Sequence, residues 1–103
     1  MAQHKPDAYK GMDEDQIRME MGREGYNPRR IEEAPNTVYK PRKNLVDLLL
    51  VFLKGDAHLR VGDEEFHCNT GDRLQIPGNV EYSAKVGKDG VVYLLTELEL
   101  IGD

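Results

Sequence analysis

A single cysteine, Cys68, stands in 103 residues, so no intrachain disulfide can form. That excludes the disulfide-stapled scaffolds of small secreted domains and makes a reducing cytoplasm the simplest compartment. The longest unbroken apolar run, Leu48 to Leu53, covers 6 residues, far short of the roughly 20 that a membrane-spanning helix needs. The opening MAQHKPDAYKG lacks the apolar stretch of a secretory signal. Positive charge is scarce beyond the first 44 residues. Residues 45–103 carry 5 Lys/Arg against 11 Asp/Glu, a net of −6, while residues 1–44 carry 9 against 8. An acidic body of this kind repels phosphate backbones, so nucleic acid is not an expected partner. The one basic spot, Lys40, Arg42 and Lys43, reads as a solvated strand end. No glycine-rich phosphate loop is present, because the glycine pairs read as turns.

What remains is the pattern of one small domain. With 39% hydrophobic and 32% charged residues, the chain is an ordinary globular sequence, long enough for one core but not two. Residues 1–11 are polar without a period, which predicts a loose terminus. In DEDQIRMEMGREG, Asp13 stands as an N-cap with Gln16 three positions on, the spacing of a capping box. Ile17 and Met21 share one helical face and Gly25 supplies a stop, giving a short amphipathic helix that must dock to be stable. From Tyr26 onward Pro28, Pro35 and Pro41 exclude helix interiors, and short β-like runs bounded by turn signals take over. Leu48 to Leu53 is followed by a predicted turn at Lys54-Gly55-Asp56. Ala57 to Val61 and Glu65 to Cys68 alternate on either side of Gly62-Asp63, a two-residue type II′ hairpin turn. Thr70-Gly71-Asp72 turns again, and Val80–Val86 and Val91–Leu100 form a last pair joined by Gly87-Lys88-Asp89-Gly90. Strands this short at this spacing predict an antiparallel sandwich or barrel.

VFLKGDAHLRVGDEEFHCNTGDRLQIP, followed by a turn and VEYSAKVG, resembles the small single-domain cupins, over about residues 39–95. Their second motif, Gly-x5-Pro-x-Gly-x2-His, is met at Gly71 and Pro77. Asn79 stands at its second glycine, where the tolerance of Asn for left-handed backbone suits it. The helix followed by GREGYNP, and later TVYKP, resemble the lead-in of one bacterial cupin subgroup. The resemblance implies an all-β fold, the cupin double-stranded β-helix or jelly-roll barrel, with a short N-terminal helix. Residues 1–35 would be the extension carrying that helix and 36–103 the barrel.

In metal-bearing cupins three histidines and a glutamate converge inside the barrel. Anchored on Gly55, the end of the first motif, two histidine positions fall on Arg42 and Asn44. The glutamate position falls on Leu48 and the motif-two histidine on Tyr82. A site of three or four donors at about 2.0–2.2 Å is not made from a leucine and a guanidinium. The resemblance therefore implies a barrel without metal or other cofactor; a one-residue slip in the anchoring would gain only Asp47 as a donor.

The remaining candidates are few. Across the Gly62-Asp63 turn His58 faces His67 and Arg60 faces Glu65, with both histidines opposite the Ala57, Leu59, Phe66 and Cys68 face. Two such imidazoles can hold surface Zn²⁺ or Cu²⁺ weakly, or be a plain exposed cross-strand pair. His67 cannot activate Cys68, because neighbours on a strand point to opposite faces, and Cys68 reads as a small buried apolar residue. No Ser-His-Asp set can be assembled from outward histidines, and Glu81, Glu97 and Glu99 read as solvated strand residues. His4 lies in the predicted loose terminus.

Arg42, Asn44, Leu48 and Tyr82 are thus the expected ligand-binding set, with no catalytic residue among them. Arg and Tyr suit a carboxylate, a phosphate or a sugar hydroxyl. The competing reading turns Arg42 to solvent with Lys40 and Lys43 and lets Tyr82 fill the vacated cavity. The expected function is binding of a small polar or anionic molecule, or an assembly role. The alternative is a cupin-type metal-dependent isomerase or dioxygenase with a non-standard ligand set. Leu48 to Leu53 also leaves two apolar faces, one inward and one carrying Leu49, Val51 and Leu53. Both need cover, which predicts a docked helix and a two-fold homodimer.

Overall fold

The computed structural model describes residues 1–98. It consists of β1 (Gln3–Lys5), α1 (Glu14–Arg23), β2 (Arg29–Glu33), β3 (Val38–Arg42), β4 (Asp47–Val61), β5 (Glu64–Asn69), β6 (Arg73–Ile76) and β7 (Tyr82–Leu98). Glu99, and the end of the strand expected to reach Leu100, lie outside the described residues. Among those residues no helix is long and apolar enough to cross a membrane.

β4 and β7 pair antiparallel along almost their whole length, from Asp47↔Leu98 to Val61↔Tyr82. The first half of β4 also pairs with β6, and β6 with β1, while the second half of β7 pairs with β2. The second half of β4 pairs with β5, and the first half of β7 with β3. Two layers result, β1-β6-β4-β7-β2 and β5-β4-β7-β3, sharing their two long strands. This is the jelly-roll architecture that the cupin resemblance implies, with strands passing from one layer to the other at bulges.

Those bulges correct two predicted turns. Lys54-Gly55-Asp56 and Gly87–Gly90 do not reverse the chain; β4 and β7 run straight through them with register shifts on either side. Gly55 and Gly90 take positive φ (73° and 79°), and a Cβ on Gly55 would collide with the Gly90 carbonyl. A positive-φ glycine serves a bulge as readily as a turn. The bulges also keep the apolar side inward. Leu48, Leu50 and Phe52 face the core before the bend and Ala57, Leu59 and Val61 after it, so the inward parity switches from even to odd. The Gly62-Asp63 hairpin forms as predicted, with Gly62 at φ 59° and His58 opposite His67.

The core has two compartments. The inner one lies between the layers and gathers Leu48, Leu50, Phe52, Leu59, Tyr82 and Tyr93. The outer one packs Leu49, Val51 and Leu94 against Ile17 and Met21 of α1 and against Tyr9. Helix α1 is built as its sequence predicts. Asp13 accepts from the Gln16 amide and Gln16 Oε1 from the Asp13 amide, both at 2.9 Å. At the other end the Tyr26 amide bonds to the Met21 carbonyl and the Gly25 amide to that of Gly22, a Schellman closure around Gly25 at φ 88°. Leu49 and Val51 are 0% exposed within one chain. The cover expected in part from a second subunit is supplied on this face by α1 and the N-terminal segment.

The predicted loose terminus is also corrected. β1 pairs with β6 through Gln3↔Gln75, His4↔Leu74 and Lys5↔Arg73. Tyr9 is buried, and its hydroxyl accepts from Arg73 Nη1 at 2.9 Å. His4 Nε2 sits 3.0 Å from Asp72 Oδ2. These partners lie more than 60 positions away, so no local period could reveal them.

Candidate functional site

Arg42, Asn44, Leu48 and Tyr82 all border one partly open cavity of about 310 Å³ inside the barrel. Their convergence follows from the strand pairing. Arg42 ends β3 opposite Tyr82, which begins β7, and Leu48 lies on β4 opposite Ile76 of β6. The Pro77-Gly78-Asn79 turn is held by two contacts: Asp47 Oδ1 accepts from the Gly78 amide, and the Asn44 carbonyl from the Asn79 amide, both at 2.7 Å. Asn79 takes φ 61°, the left-handed conformation that the motif's glycine would supply. Asp47, the one donor a shifted anchoring would gain, is spent on this turn and on Gln75 Nε2 at 3.2 Å, and it does not border the cavity.

The wall is apolar at depth and polar at the mouth. Leu48, Leu50, Phe52 and Leu59 of β4 form the floor with Ile76 and Val86. Tyr82 is 9% exposed, and its hydroxyl accepts from Asn44 Nδ2 at 3.0 Å, which leaves its own proton free to donate inward. The hydroxyls of Tyr39 and Tyr93 lie 3.4 Å apart. Burial, followed by the nearby Glu33 and Tyr82, pushes the Tyr93 phenol up to about 12, so it stays a protonated donor. Arg42 is exposed at the rim with its guanidinium 5.0 Å from the centre of the Tyr39 ring. It makes no ion pair among the described residues. Tyr82 narrows the cavity but does not fill it.

Sequence reasoning missed part of this rim. Arg29 and Glu33 come from β2, and Tyr39 and Tyr93 complete the polar band. Tyr93 could have been found from Val91-x-Tyr93-x-Leu95, where alternation puts all three on the inward side. β2 carried no such signal. Glu97, read as a solvated strand residue, is exposed but borders the mouth and pairs with Arg29 at 3.2 Å.

A metal inside the barrel, which the fold would allow, does not fit this wall. Among the described residues that border the cavity there is no imidazole and no thiol, only the carboxylates of Glu33 and Glu97. The two clusters with three potential donors each lie elsewhere: His4, Cys68 and Asp72, and Asp56, His58 and His67. In the first, Cys68 is 0% exposed, and burial, then the Asp72 charge, pushes its thiol up to about 12. It is an inert buried residue, as the sequence predicts.

No protein-family model and no curated protein sequence matches the chain. Solved structures do. A protein of unknown function from Rhizobium leguminosarum superposes with TM-score 0.67 at 13% identity, over 73% of this chain and 71% of the other. A cupin-2 domain-containing protein from Shewanella frigidimarina gives TM-score 0.61 at 15% identity, over 72% and 71%. An 11S globulin from Wrightia tinctoria, described as having an auxin binding site, gives 0.62 at 21% identity, over 72% of this chain and 21% of that one. The chain spans less than two thirds of the length of several matches, 60% of one and 21% of two others. At these identities the likeness speaks to fold alone: the chain has the cupin fold.

Proposed function

We propose that this cupin-fold domain binds, without chemical turnover, a small molecule with an apolar body and an anionic or hydroxyl-bearing head. The observation that carries the reading is the cavity of about 310 Å³ with an aliphatic floor and Arg42, Asn44 and Tyr82 at its mouth. This volume stands at the lower end of the range for ligand pockets, roughly 300–1,000 Å³, and suits a ligand of about one ring. Arg42 would offer a planar fork to a carboxylate or phosphate, and Tyr82 a hydroxyl donor. Arg29 has its charge met by Glu97, so Arg42 is the cation available to an incoming anion. The wall offers no imidazole or thiol, and its two carboxylates, Glu33 and the Arg29-paired Glu97, stand on the rim rather than on the aliphatic floor, which favours binding over reaction. The globulin of the same fold described with an auxin binding site supports the idea that such a barrel can hold a small organic molecule.

The test is a thermal-shift screen of small carboxylates and sugar phosphates, followed by calorimetry on each hit. Hits should bind the parent, and Arg42→Ala and Tyr82→Phe should weaken them. A charge-assisted hydrogen bond is worth about 1.5–3 kcal/mol, so the arginine variant should lose at least about tenfold in affinity. Hits that bind both variants as well as the parent would place the ligand elsewhere. Self-association is a separate proposal. With the outer face of β4 covered within the chain, a second subunit would use exposed apolar residues such as Val38 and Leu45, and a monomeric mass by light scattering would remove it.

A further inference from the structure

We propose that Asp56, His58 and His67 form a surface site for one divalent transition-metal ion, Zn²⁺, Ni²⁺ or Cu²⁺, on the outer side of the β4/β5 hairpin. The hairpin register sets His58 directly opposite His67, and their rings stack with centroids 4.0 Å apart and planes 9° from parallel. The third donor is the one the sequence did not announce. Asp56 shares a face with His58 by simple alternation, and its Oδ2 lies 2.7 Å from His67 Nε2. One ligand atom from each of the three residues lies within 4.8 Å of the others, so small side-chain rotations bring all three onto a common ion.

The carboxylate is also held in place. It packs over Gly87, where any Cβ would collide with it, so the absence of a side chain at 87 makes room for Asp56 beside the imidazoles. Two imidazoles and a carboxylate are the donor set of borderline first-row ions, and the exposed position leaves coordination sites for water. Mg²⁺ and Ca²⁺ take all-oxygen shells and do not match it. The charged neighbours are few. Lys85 of β7 stands opposite His58 and is exposed, so its flexible stem can carry the ammonium aside. Arg60 and Glu65 lie one step along and face each other at 4.0 Å.

This site is separate from the cavity. Ala57, Leu59 and Cys68 point to the core from the same two strands, and the histidines point away. It also differs from the His4, Cys68 and Asp72 cluster, where the Asp72 oxygens already accept from the Asp7 and Asn69 amides and lie against His4.

Calorimetry of the tag-free chain with ZnCl₂ tests the proposal, with MgCl₂ as the control ion. One Zn²⁺ should bind per chain, and Mg²⁺ should give no heat. His58→Ala and His67→Ala should each weaken Zn²⁺ about tenfold or more, with unchanged melting temperature in EDTA, whereas His4→Ala should bind Zn²⁺ like the parent. Gly87→Ala keeps every donor but displaces the carboxylate, and should also lower affinity, in the range of about 10–100-fold seen when ligand orientation is lost. The Cu²⁺-loaded parent should show hyperfine coupling to two nitrogens by EPR. No Zn²⁺ heat at millimolar metal, stoichiometric binding untouched by His58→Ala, or binding abolished by His4→Ala would each overturn it.

Discussion

The two faces of β4 make the most instructive contrast in the molecule. On one, Leu49 and Val51 are sealed under Ile17, Met21 and Tyr9. On the other, Leu48 and Leu50, equally aliphatic, look into an open cavity. Composition does not separate the faces; what lies against each does. Helix α1 brings side chains long enough to fill the outer layer. Across the inner space the second layer contributes Ala57, Ala84 and Val86 beside Leu59, small residues that leave it open, and the bulky tyrosines gather at the polar band. The outer face is therefore a packed core and the inner face a binding surface, although one strand makes both.

Substitution should expose this difference in stability. Leu49→Ala removes a fully buried side chain from a layer with no room to relax, and such changes cost about 2–5 kcal/mol. Leu48→Ala only enlarges a space that opens to solvent, where water can enter, so its cost should fall to about 1–2 kcal/mol, nearer the transfer term alone. Urea unfolding of both variants makes the comparison. Equal losses would mean the cavity is filled or collapsed in solution, and the binding proposal would lose its main support.

The next effect concerns the anchor of the outer cover. Asp72 is 3% exposed and accepts from the backbone of Asp7 and Asn69, both at 2.9 Å, beside His4. Burial pushes its carboxyl up, but the Asn69 and Asp7 amides and the His4 imidazole outweigh it, and the group titrates below the ordinary carboxylate range. Asp72→Ala leaves two amides without their acceptor and should cost about 1–3 kcal/mol. Because the folded pKa is depressed, the stabilisation is present above the unfolded value of about 3.9 and is lost as pH falls through the lower, folded value. The gap between parent and variant should be constant near neutrality and close in acid. A gap that persists well below the folded titration would assign the effect to lost packing instead.

These particulars also show what was legible in the sequence. The capping box at Asp13, the Gly62-Asp63 hairpin and the Asn79 backbone are local chemistry, written within four residues, and each stands as read. The bends at Gly55 and Gly90 were misread because a positive-φ glycine does not say whether the chain reverses or merely shifts register. The docked terminus was missed because the partners of His4 and Tyr9 are Asp72 and Arg73, with sequence separations of 68 and 64. The gathering of Arg42, Asn44, Leu48 and Tyr82 was legible only through the motif resemblance, since it is produced by the β3/β7 and β4/β6 pairings and by the Asn44 to Tyr82 hydrogen bond. Arg29 and Glu33 were invisible for the same reason, since β2 reaches the site only by pairing with β7, whereas Asp56 shares a face with His58 by simple alternation and is hidden only by the turn-like Lys54-Gly55-Asp56.

The smallest expected effect tests whether the two faces are independent. Asp13→Ala removes the acceptor for the Gln16 amide and breaks the reciprocal bond from the Asp13 amide. The site is exposed, so no cavity forms, and loss of an N-cap costs about 0.5–2 kcal/mol. Glu14 and Asp15 in the first turn and Arg23 in the last still complement the helix dipole, which places the loss in the lower half of that range. A helix of 10 residues has little stability apart from its docking, so the weakened cap should act through the outer cover. Amides of α1 should exchange with solvent faster, while those of β3 and the Tyr82 end of β7 keep their protection. Anion affinity in the cavity should stay at the parent value, because no inner-face residue has moved. If affinity falls along with helix protection, β4 transmits strain from its packed face to its open one, and the two compartments form a single coupled unit.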